Sequence, residues 1–463
     1  MPEADLPSNG SLAADTEYDC MNGISVLQDM LETILERGAS LTGIRTDQRK
    51  ASVESLNTLA DTLLSARGEA SGVALASLFL QGFEDLDEDE KPAFFHALAD
   101  RFDPSHDAIR EAAERYAEAP SVDTFIALEE ASHSPRRKLL RRINLAPGGT
   151  AALVHMREQL LPLLADHPEL AKVDHDFLHL FRLWFNRGFL VLRQVDWNTP
   201  ANVLEKIIAY EAVHEIGNWD ELRRRVLPED RRCFAFFHPS MPDEPLIFVE
   251  VALTESVPGS IQDLLAEDRE HLPAQEAKTA VFYSISNCQQ GLSGVSFGSF
   301  LIKRVAERLS RELPTLKTFV TLSPIPGLRR WLAKQAEDET NSEAYRAHNI
   351  IRQDGWQTDE EFLEEAEALI KPLAVRYFAA EKTSAGEPLN AVARFHLGNG
   401  AILQRINWLG DTSDKGMHQS AGLMVNYLYP LDKIESNHEA YADHGKINVS
   451  REVRNIAPSV FAS

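Results

Sequence analysis

The period of the hydrophobic residues changes once along this chain, near Phe189, and that change limits the folds open to it. Upstream, apolar residues recur at helical spacing. Ile24, Leu27, Met30, Leu31, Ile34 and Leu35 fall on one helical face, and Gly38 is placed to end that helix. Leu56, Leu59, Leu63 and Leu64 repeat the pattern, and the stretches around Phe94, Phe95 and Leu98 and over 153–161 continue it. The acidic run 84–90 between them reads as a solvated helix end or loop, and the polar start of the chain, roughly 15 residues, is expected to be disordered. Downstream, strand-like segments take over at 189–195, 233–237, 246–253, 280–286, 318–322 and 401–408, with helical stretches at 201–214, 298–311, 328–335 and 359–378. The expectation is an α+β multidomain protein, with an all-α helical bundle over residues 1–188 and an α/β domain with a central sheet over 189–463.

A chain of 463 residues is long enough for two or three domains, each with its own core. Its formal net charge of −24 repels phosphate backbones, which excludes nucleic acid as a partner. A small anionic ligand stays open to it, because a few backbone N–H groups and local cations can hold a phosphate. The three cysteines, Cys20, Cys233 and Cys288, show no paired spacing, so a reducing compartment is expected and a disulfide framework is not. The sequence begins Met1-Pro-Glu-Ala-Asp5, with neither a signal peptide's apolar stretch nor a transit peptide's arginines. No uncharged run approaches the ~18 residues of a membrane span. The expected location is cytoplasmic.

Three segments carry groups suited to chemistry. Cys288-Gln-Gln-Gly-Leu-Ser-Gly-Val-Ser-Phe-Gly-Ser299 follows one expected strand and opens a helix. Glycines at 291, 294 and 298 let the backbone approach a ligand, and the helix start supplies free N–H donors. It is neither a Walker loop nor Gly-x-Gly-x-x-Gly. It loosely resembles the Gln-x-x-Gly-x-Gly/Ala loop with which acetyltransferase-like domains grip coenzyme A, and a helix-capping turn is the plainer alternative. Ser323-Pro-Ile-Pro-Gly327 ends a strand, and its two prolines predict a stiff loop presenting one hydroxyl, although a serine there can simply turn the chain. No Gly-x-Ser-x-Gly elbow is present, so serine hydrolase chemistry is not indicated.

In the third segment, Asn390 can cap a short helix that Gly398-Asn-Gly400 ends, and a hairpin is the alternative. As a helix it puts His396 near its C-terminal end, where an imidazolium is stabilised. His175 and His179 share a helical face, but no third ligand accompanies them, so helix surface is the reading and no metal is expected. Nothing suggests biotin attachment or a Schiff-base lysine, and no cofactor is expected.

Together these segments resemble the malonyl-CoA decarboxylase family, from about residue 142 to about residue 453. The resemblance is carried by Ile143-Asn-Leu-Ala-Pro-Gly-Gly149, Trp184-Phe-Asn-Arg-Gly-Phe-Leu190, Glu211-Ala-Val-His214, Arg231-Arg-Cys-Phe234 and Phe282-Tyr-Ser-Ile-Ser286. It continues through Gln289-Gln-Gly-Leu292, Phe300-Leu-Ile-Lys-Arg304, Leu322-Ser-Pro-Ile-Pro-Gly327, Ala393-Arg-Phe-His-Leu397, Arg405-Ile-Asn-Trp408 and Gly422-Leu-Met424.

The resemblance implies a helical N-terminal domain used in homo-oligomer contacts, as a dimer or tetramer, and an acetyltransferase-like (GNAT-type) catalytic domain. It implies conversion of malonyl-CoA to acetyl-CoA and CO2 through an enolate, without metal or biotin. It matches the family's catalytic serine to Ser323 and its catalytic histidine to His396, and its substrate-binding loop to Ser293, Gly294, Val295, Ser296, Phe297, Gly298 and Ser299. Ser296 stands near a position where animal members are expected to carry an acidic residue, so no carboxylate role transfers there. On this reading His396 donates the proton and Ser323 is its hydrogen-bonding partner rather than a nucleophile, with Lys303, Arg304, Arg329 and Arg330 as phosphate contacts or ordinary surface charges. An acyl-CoA-dependent N-acyltransferase and a non-catalytic malonyl-CoA-binding sensor are the alternatives.

Overall fold

The computed structural model describes residues 52–66, 68–295, 301–338 and 340–461. The helix expected over 24–35, Cys20 and the loop residues Ser296, Phe297, Gly298 and Ser299 lie outside the described residues. Two compact units emerge: residues 1–186 with 289–296, and residues 187–288 with 297–463. Among the described residues no helix is long and apolar enough to cross a membrane.

The first unit is helical. Its elements are α1 (Val53–Ser65), α2 (Glu69–Glu84), α3 (Lys91–Arg101), α4 (His106–Glu118), α5 (Val122–Ser132), α6 (Pro135–Ile143), α7 (Gly149–Leu160) and α8 (Ala171–Trp184). Local chemistry sets several of the starts. Ser52 and Ser121 close capping boxes, and Ser105 caps α4. The acidic run is the end of α2 and the turn into α3, with Leu86 buried beneath it. Phe83 on α2 meets Phe94 on α3 with ring centroids 4.9 Å apart, so the apolar stripe forms the core here.

Buried charge pins this unit together. Arg136 is 2% exposed; its Nε donates to Asp176 Oδ2 at 2.8 Å and its Nη1 to the Leu98 carbonyl at 2.9 Å. Those bonds tie α6 to α8 and α3. Arg157 on α7 is equally buried. Its Nε donates to Asp174 Oδ1, and its Nη1 donates to the carbonyls of Gly291 and Ser293, all at 2.7 Å. That clamp explains why 289–296, which the sequence places in the second domain, belongs with the helices. It also corrects the reading of Gly291. A Cβ at that position would lie 1.9 Å from the Val154 carbonyl, so this glycine serves a close approach to α7 rather than to a ligand.

The second unit is built on one eight-stranded sheet. Its strands are β1 (Val191–Val195), β2 (Arg231–Phe237), β3 (Ile247–Thr254), β4 (Thr279–Asn287), β5 (Thr318–Thr321), β6 (Ser323–Pro324), β7 (Ile402–Asn407) and β8 (Met424–Leu428). β1 to β4 form an antiparallel run, and β4 pairs parallel with β5. The parallel pair needs a long crossover, which contains α10 (Leu301–Glu312). β8 returns antiparallel against β5, β6 and β7. The helices α9 (Ala201–Tyr210), α11 (Leu328–Ala336), α12 (Glu360–Ala379) and α13 (Ala391–Gly398) complete the frame of the site.

The segments expected to be strands and helices here are such, within a few residues. The sequence misses β6, β8 and the helices Trp219–Val226, Ile261–Leu265, Ser342–Ile350, Asp414–Ser420, Ile434–His444 and Arg451–Ile456. β8 is buried on both faces, so it carries no alternation to recognise.

Removing one partner of a buried ion pair leaves the other charge stranded. Arg136→Met is therefore expected to destabilise the helical unit by about 3–5 kcal/mol. Urea denaturation followed by far-UV circular dichroism checks this; an unchanged midpoint would show that Arg136 is no pin.

Candidate active site

The site begins where two strands part. β4 and β5 pair only from Thr279 with Thr318 to Phe282 with Thr321. β4 continues to Asn287, while the chain after Thr321 turns to pair as β6 with Met424 and Val425 of β8. The expected stiff loop at Ser323 is thus a two-residue strand, held by a ladder and not by its prolines alone. Beside the parting lies a cavity of about 260 Å³, lined by Phe282, Ile285 and Asn287 of β4, Ser323 and Pro324 of β6, and Phe395 and His396 of α13. Strands that stop pairing leave room that side chains from a third element can wall, and α13 supplies that wall.

Asn390 holds α13 in place with both ends of its amide. Its Oδ1 accepts from Ala393 N at 2.7 Å, capping the helix, and its Nδ2 donates to the Pro326 carbonyl at 3.0 Å. Tyr377 of α12 donates to the same carbonyl at 3.2 Å. The Ser323–Gly327 segment and the His396 helix are therefore fastened at one carbonyl. Of the two local readings, the structure has the helix: Asn390 begins it, and Gly400 follows its end in the left-handed region with φ +80°.

The two sequence-expected catalytic residues meet. Ser323 Oγ lies 3.3 Å from His396 Nε2, and both residues are buried. Ser323 also donates to Thr321 Oγ1 at 2.9 Å, since residues two apart on a strand face the same side. His396 Nδ1 lies 2.7 Å from the Tyr429 hydroxyl, and the ring stacks on Tyr427 with centroids 4.5 Å apart. With its own hydrogen committed to Thr321, Ser323 Oγ is left to accept from Nε2–H. Nδ1 then accepts from Tyr429, whose hydroxyl burial keeps protonated by pushing its pKa well up.

The expectation of an imidazolium at the helix end is corrected. Burial drives the His396 pKa down to about 3, so the ring is neutral. Removal from water outweighs the partial charge of one helix terminus.

Tyr429 and a role for Thr321 were not foreseen; the alternation Tyr427-Leu-Tyr429 was the available signal for the tyrosine, and the two-residue spacing of Thr321 from Ser323 that for the threonine. Of the loop expected to bind substrate, Ser293 and Gly294 are exposed, Val295 is buried, and Gly294 takes φ +79°. Three of the four candidate phosphate contacts are occupied within the fold. Lys303 pairs with Glu435, Arg304 donates to the Leu190 carbonyl at 3.1 Å, and Arg329 donates to the carbonyls of Met417 and Ile351. His175 lies on exposed helix surface beside Arg137, and no third ligand joins it and His179 among the described residues. Cys233 and Cys288 are buried free thiols whose pKa values burial pushes well up, which leaves them unreactive.

Known proteins give the arrangement its class. Residues 102–185 match the malonyl-CoA decarboxylase N-terminal domain, and residues 188–461 match the malonyl-CoA decarboxylase C-terminal domain. Both descriptions are those of carboxy-lyases. The chain belongs to the malonyl-CoA decarboxylase family. It is similar to the malonyl-CoA decarboxylase of Rhodopseudomonas palustris, with 52% identity and a TM-score of 0.84 over 87% of this chain and 99% of that one. The malonyl-CoA decarboxylase of Agrobacterium vitis has 51% identity and a TM-score of 0.83 over the same shares. The mitochondrial malonyl-CoA decarboxylase of Anser anser anser is 38% identical over 350 residues, 69% of each chain.

A depressed histidine pKa has a measurable consequence. The folded value of about 3 lies below the ordinary 6.5, so the group contributes its stability in full above about pH 6.5 and loses it as pH falls toward 3. In a ¹⁵N-imidazole titration of the free protein, His396 is expected to stay neutral from pH 8 to about 5. Protonation near pH 6.5 would show the ring to be solvated.

Proposed function

We propose that this chain converts malonyl-CoA to acetyl-CoA and CO2 in the cavity between β4 and β6, with the proton supplied by His396. The observation that carries the reading is the buried series Tyr429–His396–Ser323–Thr321, whose His396 and Ser323 line that cavity. The acetyltransferase-like architecture implied by the family is supported by the parallel pair β4 and β5 that parts at the site.

Decarboxylation breaks the bond between the malonyl Cα and its carboxylate. The electron pair moves into the thioester as an enolate, and CO2 leaves. Because the thioester is the electron sink, the protein's tasks are to bind, to shield from water and to deliver one proton. Preorganised donors at the thioester oxygen would each lower the barrier by about 3–4 kcal/mol. The Ser323 hydroxyl turns from Thr321 to the enolate carbon and gives its hydrogen; Nε2–H of His396 refills it, the Tyr429 O–H passes its hydrogen to Nδ1 so that the ring stays neutral, and water reprotonates Tyr429 when the product leaves. The Tyr429 O–H on Nδ1 keeps the ring in the tautomer that can refill Ser323.

The loop from Ser293 to Ser299 is proposed to bind coenzyme A, as the family resemblance implies; Gly294 makes a left-handed turn within it. A homo-oligomer, dimer or tetramer, is supported by Val122, Phe125 and Ile126 of α5, which are 73%, 53% and 44% exposed.

The test is incubation of the purified protein with malonyl-CoA, without metal or acceptor, while CO2 and acetyl-CoA are followed. Both products are expected in equal amounts. Binding without turnover would identify a sensor, and acyl loss only with an added amine would identify a transferase. His396→Asn and Ser323→Ala are each expected to lower kcat by at least about 100-fold with an intact fold. Near wild-type kcat in either variant would remove that residue from the mechanism.

A further inference from the structure

We propose that His96, His167 and Glu169 form a site for a divalent transition-metal ion on the helical unit. The site is separate from the proposed chemistry, and the sequence, which pointed to no metal, does not reveal it. One potential ligand atom from each residue lies within 4.8 Å of the other two. Glu169 Oε1 stands between the imidazoles, 3.7 Å from His96 Nδ1 and 3.4 Å from His167 Nδ1, and the rings meet edge to face at 4.9 Å.

Those separations discriminate between two readings. A charge-assisted N–H to carboxylate hydrogen bond closes to about 2.7–2.9 Å. Two ligands on a tetrahedral zinc, each at about 2.0–2.1 Å from it, lie about 3.3–3.4 Å apart. The two carboxylate–imidazole separations are longer than charge-assisted hydrogen bonds and lie within a few tenths of an ångström of the ligand spacing around zinc.

The ligands stand on stiff supports. His96 projects from α3, whose Phe94, Phe95 and Leu98 are buried. His167 and Glu169 flank Pro168, which fixes φ in the 3-10 turn Pro168–Leu170, and Leu170 is fully buried. His167 N donates to the Leu163 carbonyl at 2.9 Å, and Leu170 N donates to the His167 carbonyl at 3.0 Å. The three side chains are 35%, 40% and 52% exposed, which leaves room for water to complete the coordination. Two imidazoles and one carboxylate suit zinc, cobalt or nickel better than magnesium or calcium, which prefer oxygen. A chain with net charge −24 attracts a cation. An ion here would tie α3 to the turn that leads into α8.

The full-length protein, free of any histidine tag and stripped with chelator, is titrated with zinc chloride by calorimetry and with cobalt chloride by visible absorption. One equivalent of zinc is expected to bind at about micromolar Kd. Excess magnesium should not displace it. His96→Ala combined with His167→Ala, and separately Glu169→Gln, should weaken binding by at least roughly ten-fold. Zinc should raise the melting temperature of the wild type and not that of the double variant. Absence of saturable one-to-one binding, or unchanged affinity in the double variant and in Glu169→Gln, would overturn the proposal.

Discussion

The parting of β4 from β5 after Phe282 and Thr321 is the constraint on which the rest of the second unit depends. Had the two strands stayed paired, their backbone groups would have closed the sheet and Ser323 would sit in a continuous ladder. Once they part, each edge needs new partners, because buried N–H and C=O groups are costly to leave alone. β8 satisfies one edge by pairing with β5, β6 and β7 together. The opening on the other side becomes the cavity. The Asn390 and Tyr377 bonds to the Pro326 carbonyl then bring α13 and its histidine to the wall. Gly327, at φ +82°, makes the turn that this needs.

Burial decides the electrostatics of the site more than any formal charge does. Thr321, Ser323, His396 and Tyr429 are uncharged, and each finds a hydrogen-bond partner among the others. A site of this kind holds its protons in fixed directions and places no anion in the series.

The helical unit uses the opposite device. Arg136 and Arg157 are charged, deeply buried and fully engaged, and each ties elements that are distant in sequence. Arg157 captures two carbonyls of the segment after β4, so that stretch belongs structurally to helices it does not adjoin in the chain. Such fork-shaped donors specify geometry, since leaving one unpaired in the interior is prohibitive.

Read by itself, the sequence determined the switch from helical to strand periodicity at Phe189 and most long elements, and the order of its motifs singled out Ser323 and His396 as candidates. Periodicity and capping are local, so Asn390 could be recognised as a helix start before any fold was known. Only the tertiary structure decided what depends on contacts between distant segments. It placed Ser323 in a strand, since β8 lies about a hundred residues downstream. It supplied Tyr429 and Thr321, whose side chains gain meaning only beside the histidine. It turned an expected imidazolium into a neutral ring, because desolvation is a property of the whole enclosure and not of a helix end. It assigned Gly291 to a helix contact, and it gathered His96, His167 and Glu169, which no spacing rule joins. Local pattern is written residue by residue, whereas burial and long-range pairing exist only once the chain has closed on itself.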